Sequence, residues 1–140
     1  MISAVVLAAC GHAASAAPKG WQPLPGASAA WANGSGRAAQ EYYYRRVRFG
    51  GTLQDLASAV TINVLLHQRA ARLRGSVPFA PCPGAAGVAT FTLPGGQILE
   101  EGFSVSNGES VRTAYIRPAA AAADANVTAA MQSALCVAPA

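Results

Sequence analysis

The residue types that most often perform catalysis are few and scattered in this chain. A serine-hydrolase site would need His67 with Asp55 or Asp124, but no G-x-S-x-G turn or similar nucleophile motif is present. His67 and two distant thiols are a poor metal set, and a partly buried, hydrogen-bonded histidine is expected instead. Glu100 and Glu101 are expected to lie solvated on opposite faces of a strand, so they cannot act as one carboxylate pair. We therefore predict no catalytic residue, no metal and no cofactor.

Cys10 ends an apolar run that could direct chemistry at a membrane. Residues 2–9 form an apolar run interrupted only by Ser3. A bilayer span takes about 20 residues, but this length suits the apolar region of a secretory signal. The order Leu7-Ala8-Ala9-Cys10 resembles the lipobox of bacterial lipoproteins. The resemblance implies that the Cys10 thiol receives a diacylglyceryl group and becomes the first residue after cleavage.

Two other interpretations of residues 1–17 stay open. No lysine or arginine precedes the apolar run, so the positive charge that usually begins such a signal is missing. An ordinary secretory signal cut near residues 14–16 has a similar small-residue spacing, and residues 1–17 could instead be a buried N-terminal segment. The lipobox predicts a membrane-anchored protein of the cell envelope, facing away from the cytoplasm. Plain secretion would leave it soluble, outside the cell or in the periplasm.

If Cys10 carries a lipid, Cys82 and Cys136 remain as an even pair. In an exported protein this favours a structural disulfide. The bridge would close a loop of about 54 residues and stabilise the fold by roughly 4 kcal/mol. Free buried thiols, or a redox or metal role, are the alternatives. A redox role lacks both a C-x-x-C motif and a basic residue beside either cysteine.

One cationic and aromatic segment, residues 41–49 (EYYYRRVRF), is predicted to form a strand. Strand alternation places Tyr42, Tyr44, Arg46 and Arg48 on one face, and we call these four residues the arginine–tyrosine strip. The strip could contact the phosphate or carboxylate groups of an anionic lipid or an acidic protein partner. Alternatively, it only keeps an exposed strand soluble.

The overall charge is too small to indicate a nucleic-acid partner. The 140 residues carry ten Lys+Arg and six Asp+Glu, a net charge of +4. Charged residues make up 11% of the chain, well below the roughly 25% of ordinary soluble domains. This low charge favours an exported protein.

The chain divides into three predicted regions. Residues 1–17 are the signal or lipobox segment. Residues 18–40 are rich in Gly, Ala, Ser and Pro, which predicts a flexible tether. Trp21 and Trp31 interrupt the tether, and one or both should dock on the domain. Residues 41–140 form a single small domain.

Periodicity and turn signals predict the elements of that domain. Residues 52–74 carry an apolar helical stripe, with Thr52 in a capping box with Asp55 and Gly75 as the stop. A short helix begins at Asp124. Between the helices, three strands form a meander, the last two joined by an Asn-Gly turn: residues 88–93, 97–105 and 109–117.

These elements predict an α+β fold, in which an antiparallel sheet (the meander plus an N-terminal strand) is covered on one side by one long and one short helix. The element order resembles the PsbP-like fold of some small exported and lipid-anchored proteins. That resemblance covers most of residues 41–137 and transfers no functional residue. We predict a small exported, lipid-anchored cell-envelope protein of non-catalytic binding or accessory type; a small envelope hydrolase with an unrecognised active site is the alternative.

Overall fold

Seven strands form one antiparallel sheet in a computed structural model that describes residues 17–27 and 29–136. The order across the sheet is β1-β2-β3-β7-β6-β5-β4, and with the two helices it confirms the predicted α+β class. The strands are β1 (Gln22–Pro23), β2 (Ala30–Asn33), β3 (Gln40–Arg48), β4 (Arg72–Pro78), β5 (Ala86–Leu93), β6 (Gln97–Ser106) and β7 (Glu109–Pro118). The helices are α1 (Leu53–His67) and α2 (Ala125–Leu135), and a short 3-10 turn, Gly36–Ala38, precedes β3.

Both helices begin where their capping residues predict. The Thr52 hydroxyl accepts from the Asp55 backbone N–H at 3.1 Å, and the Asp55 carboxylate accepts from the Thr52 N–H at 2.9 Å. These hydrogen bonds hold the pKa of Asp55 below its ordinary value. At α2, the Asp124 carboxylate accepts from the Asn126 N–H at 2.7 Å. The capping box and the Asp124 N-cap are therefore confirmed.

The predicted helix over residues 52–74 is wrong beyond His67. Val64 is the last buried residue of α1, and Ala70 turns the chain with a positive φ of 62°. The chain then forms β4 alongside β5. Much of β5 is buried, so its backbone N–H and C=O groups need partners, and β4 supplies them.

The predicted tether over residues 18–40 is also wrong, because part of this segment belongs to the sheet. β2 pairs with β3, and β1 pairs with β2. Trp21 and Trp31 are both buried, which confirms that they dock on the domain. The Trp21 ring meets Tyr115 edge-on, and its Nε1–H donates to Asp124 at 3.2 Å. Burial of these two large rings holds the segment in place.

Each face of the sheet carries one helix and one apolar core. α1 packs against β5 and β6, where it buries Leu56, Val60 and Val64. α2 packs on the opposite face against β7 and β6, so the prediction that both helices cover one side of the sheet is wrong. The core there combines α2 residues Val127, Met131 and Leu135 with N-terminal aromatics and with residues of β3 and β7: Trp21, Trp31, Tyr42, Val111 and Tyr115.

Cys82 and Cys136 form a disulfide, with Cα atoms 5.7 Å apart, which confirms the predicted pair. The bridge ties the end of α2 to the turn that follows β4. The β6–β7 hairpin is confirmed too: Asn107 and Gly108 both have positive φ, as a tight two-residue turn requires. Among the described residues, no helix is both long and apolar enough to cross a bilayer.

Candidate functional site

A groove opens on the α1 face, where the sheet continues beyond the helix over β7 and β3. Its cavity measures about 560 Å³, within the usual range for small-molecule sites. The β1–β2 connection forms one wall and Asn63 of α1 the other. We call this feature the arginine groove, after the side chains that its lining includes: Tyr43, Arg45, Asn63, Glu101 and Arg112.

An ion pair between Glu101 and Arg112 lies at the floor of the groove. The Arg112 Nη2 atom is 3.2 Å from Glu101 Oε1 and donates to Asn63 Oδ1 at 3.4 Å. Only 10% of the Glu101 side chain and 14% of the Arg112 side chain are exposed. Burial outweighs the attraction of Arg112 and raises the pKa of Glu101. The expectation of a solvated Glu101 is therefore wrong, because α1 and its Asn63 cover this part of the strand.

Arg45 brings a second positive charge to the same floor. It lies directly opposite Arg112 across the β3–β7 ladder and is exposed. Within the described residues, no carboxylate lies within 4.0 Å of its guanidinium. Two arginines thus face one another beside one carboxylate, Glu101, which leaves one of the two positive charges uncompensated. A carboxylate or phosphate group fits this arrangement, since guanidinium groups bind both in a bidentate manner.

Tyr43 adds a neutral hydroxyl beside the arginines. Its O–H donates to Glu41 Oε1 at 2.7 Å. Burial, followed by this hydrogen bond, raises the pKa of Tyr43 to about 12. The hydroxyl therefore stays protonated at neutral pH, so Tyr43 adds no negative charge that would repel an anionic ligand.

His67 lies in an adjoining cavity of about 220 Å³ that Glu101 and Asn63 also line. His67 is exposed, so the predicted partial burial is wrong, but the predicted hydrogen bond is present. Its Nδ1 lies 2.8 Å from the Asn63 carbonyl oxygen and 3.3 Å from the Asn63 side-chain nitrogen. The described residues that line this cavity include no serine or cysteine. No group of three or more His, Cys, Asp or Glu side chains suited to a metal occurs within residues 17–27 and 29–136.

The arginine–tyrosine strip is only partly available at the surface. Tyr42 is fully buried and stacks on Trp31, with ring centroids 6.1 Å apart. It cannot contact a lipid or a protein, and burial raises the pKa of its hydroxyl. Tyr44 is half-buried beside the same core. The strip was predicted from alternation alone, which cannot tell that Trp31 covers this face.

The two arginines of the strip are exposed next to an acidic residue. Arg46 Nε lies 3.9 Å from Glu109 Oε1, and Arg48 is directly opposite Glu109 in the β3–β7 ladder. An exposed pair of this kind contributes little to stability. Glu109 also offsets part of the positive charge that the strip was predicted to offer to an anionic surface.

The arginine groove was not predicted from the sequence. Arg45 points to the face opposite the strip, and its neighbour Arg112 lies far along the chain. Only the β3–β7 pairing brings the two together. The alternation of Tyr43 and Arg45 was visible in the sequence, but nothing there indicated that α1 stops short of β7.

The predicted lipidation site, Cys10, lies outside the described residues. Comparison with protein families, with curated protein sequences and with solved structures finds no match to this chain. The lipobox and PsbP-like resemblances therefore stay predictions from the sequence.

Proposed function

We propose that this protein is an exported, lipid-anchored component of the cell envelope that binds a ligand or partner without catalysis. The Cys82–Cys136 disulfide is the observation that carries the proposal. Such bridges persist in oxidising compartments and are rare in the cytosol. The LAAC segment then explains how the domain is exported and where it is held, with the Cys10 thiol as the lipid acceptor.

The arginine groove is the proposed binding site. Arg45 and Arg112 can share one anionic group, while Tyr43 and Asn63 offer polar contacts on either side. The ligand we propose is a small molecule or peptide end that carries a carboxylate or phosphate. The exposed strip residues Arg46 and Arg48 are retained as a second proposed contact, for anionic lipid or an acidic protein.

Export and anchoring are tested by expression in a bacterial host with labelled fatty acid. The wild-type protein should incorporate the label and partition into detergent. Cys10→Ser should abolish both. An unlabelled, soluble wild type cut near residue 16 would show that plain secretion is correct.

Ligand binding is tested by titrating inorganic phosphate and acetate separately into the purified protein and following arginine side-chain signals by NMR. Arg45→Gln should weaken binding by at least about tenfold, the loss of one charge-assisted hydrogen bond. Arg46→Gln is the matched control, because the next residue of β3 points to the other face of the sheet. Equal effects of the two substitutions would rule out the groove as the site.

The envelope hydrolase stays a second candidate because His67 and Glu101 line one cavity. A hydrolase of this kind would cleave ester or amide substrates and lose activity in His67→Ala. Hydrolysis that survives this substitution, or no hydrolysis by the wild type, would contradict it.

A further inference from the structure

Residues 62–77 form a surface unlike the rest of the domain. They run from the outer side of α1 into the edge strand β4, whose residues are all exposed. Leu66 is 76% exposed and Ile62 is 58% exposed. We define the edge patch as the exposed large apolar residues and arginines of this segment: Ile62, Leu65, Leu66, Arg69, Arg72, Leu73, Arg74 and Val77.

Among the residues that the structure describes, the positive charge of the edge patch has no acidic partner. Residues 56–99 contain no aspartate or glutamate. In the described part of the chain, none of the three patch arginines lies within 4.0 Å of a carboxylate. By contrast, Arg46, Arg112 and Arg117 each have an acidic partner. The patch therefore combines exposed apolar side chains with uncompensated cations, which suits an anionic surface with an apolar layer beneath it.

The free edge of β4 is poorly suited to pairing with another strand. Its register with β5 shifts between Leu73 and Gly75, and Pro78 has no N–H to donate. Such irregularities, together with Arg72 and Arg74, are devices that prevent strand addition at an edge. The patch thus favours a partner that contacts side chains rather than the backbone.

The edge patch lies at the same end of the strands as the N-terminal segment. Arg72 of β4 lies level with Arg117 of β7, through the paired residues Thr92 and Ile98 of the strands between them. Arg117 stands just before the loop that leads to Asp124. Trp21 binds that aspartate. The patch strand β4 is three strands from β7, where Trp21 contacts Tyr115, a separation of roughly 15 Å at the usual strand spacing. Six residues, 11–16, lie between Cys10 and residue 17, and the seven Cα–Cα steps can reach up to about 25 Å.

We propose that the edge patch docks on the anionic lipid bilayer that holds the protein, with the leucines entering the headgroup region and the arginines binding lipid phosphates. This inference rests on the proposed lipid anchor. The anchor and the patch then attach the domain at two separate points, which fixes its orientation on the membrane surface. A lipid chain with a basic, apolar patch is a recognised pair of membrane signals.

The test uses the full chain with Cys10→Ser, so that binding by the patch is measured without a lipid anchor. Vesicles of phosphatidylcholine with phosphatidylglycerol are compared with vesicles of phosphatidylcholine alone, by cosedimentation at low and high salt. Each arginine near an anionic surface contributes about fivefold in affinity. Joint Arg69→Glu, Arg72→Glu and Arg74→Glu substitution should therefore weaken binding at least tenfold. Leu65→Ser with Leu66→Ser should weaken it while preserving the salt dependence.

The control, Arg46→Glu with Arg48→Glu in the same background, reverses the charge of the strip, the second proposed lipid contact. It should weaken binding less than the patch variant does, because Glu109 already offsets part of the strip's charge. Intact disulfide and unchanged melting temperature establish that each variant is folded. No binding to anionic vesicles, or a larger loss in the control, overturns the proposal. A change in oligomeric state without a change in vesicle binding would also overturn it, in favour of pairing between copies along β4. Fatty-acid labelling of the wild type reports the anchor separately, so failure of one proposal is not mistaken for failure of the other.

Discussion

The face of the sheet under α2 is closed, whereas the face under α1 is left half open. On the α2 face, the N-terminal segment, its two tryptophans and the disulfide complete the cover that the short helix begins. On the α1 face, the helix covers β5 and β6, and the groove remains over β7 and β3. The two faces share the same strands but carry different side chains.

The residues that stabilise the fold therefore lie mainly on the α2 face, and the residues that are free to bind lie on the α1 face. Closely packed aromatics and a covalent bridge stabilise the α2 face. The α1 face instead keeps Glu101, Arg112 and Arg45 beside a cavity, where charged groups cost desolvation and gain little net stability. We therefore expect substitutions on the α2 face to affect mainly stability, and substitutions in the groove to affect mainly binding.

The largest expected effect is removal of the bridge on the α2 face. Cys82→Ala with Cys136→Ala should lower the free energy of unfolding by about 4 kcal/mol, because the unfolded chain regains the freedom of a long loop. Urea denaturation of the oxidised wild type and the variant measures the difference. Two thiols that titrate in the folded wild type would show that the bridge does not form.

The next largest effect concerns the ion pair under the groove. Arg112→Ala should cost about 2–3 kcal/mol by leaving Glu101 buried without its cation, less than a fully buried pair because some exposure remains. Replacing both residues, Glu101→Met with Arg112→Met, should change stability by under about 1 kcal/mol. The same double variant should lose anion binding. A double variant much less stable than Arg112→Ala would mean that the pair is a stabilising element, and the two faces would not differ as described.

A smaller effect tests the close packing of α2 on the sheet. A methyl group on Gly102 would lie 2.5 Å from Thr113 Oγ1 and 2.7 Å from Leu135 Cδ1. Gly102→Ala should therefore cost about 1–2 kcal/mol, since helix and strand must separate. Gly50→Ala is the control, because its new methyl group meets nothing within 4 Å. If both variants melt at the wild-type temperature, the α2 face is packed less closely than described.

The smallest expected effect is on the pH dependence of stability. Burial raises the pKa of Glu101 above its ordinary value of 4.5, so the folded protein holds this proton more tightly than the unfolded chain. Stability should fall as pH rises from about 4.5 through the folded pKa, and Glu101→Gln should remove that decline. Asp55 acts in the opposite sense: its lowered pKa gives stability that is lost as pH falls through the folded pKa. A Glu101→Gln variant with the wild-type pH slope would contradict the assignment.

Local signals predicted much of the fold. The Asn107-Gly108 turn defined the β6–β7 hairpin, and Thr52 and Asp124 marked the starts of the two helices. The end of α1 was missed because Ala70, rather than a glycine, takes the left-handed conformation there. Residues 68–74 also suit a helix by composition, and only the unpaired edge of β5 decides in favour of a strand.

The candidate site could not be predicted, because it depends on contacts between distant residues. Glu101 is buried by α1 and Arg112, and Tyr42 is buried by Trp31, which belongs to a segment whose composition indicated a tether. Alternation placed each side chain on the correct face of β3. It did not reveal which face the rest of the chain would cover.

The proposed export and anchoring are tested most directly by the intact mass of the protein extracted from bacterial membranes. The expected result is a chain that begins at Cys10 and carries the added mass of a lipid. Its mass should also be lower by two hydrogens, because Cys82 and Cys136 form a disulfide. A lipid-free chain that begins near residue 17, or one that keeps residues 1–9 with both thiols reduced, would contradict the account.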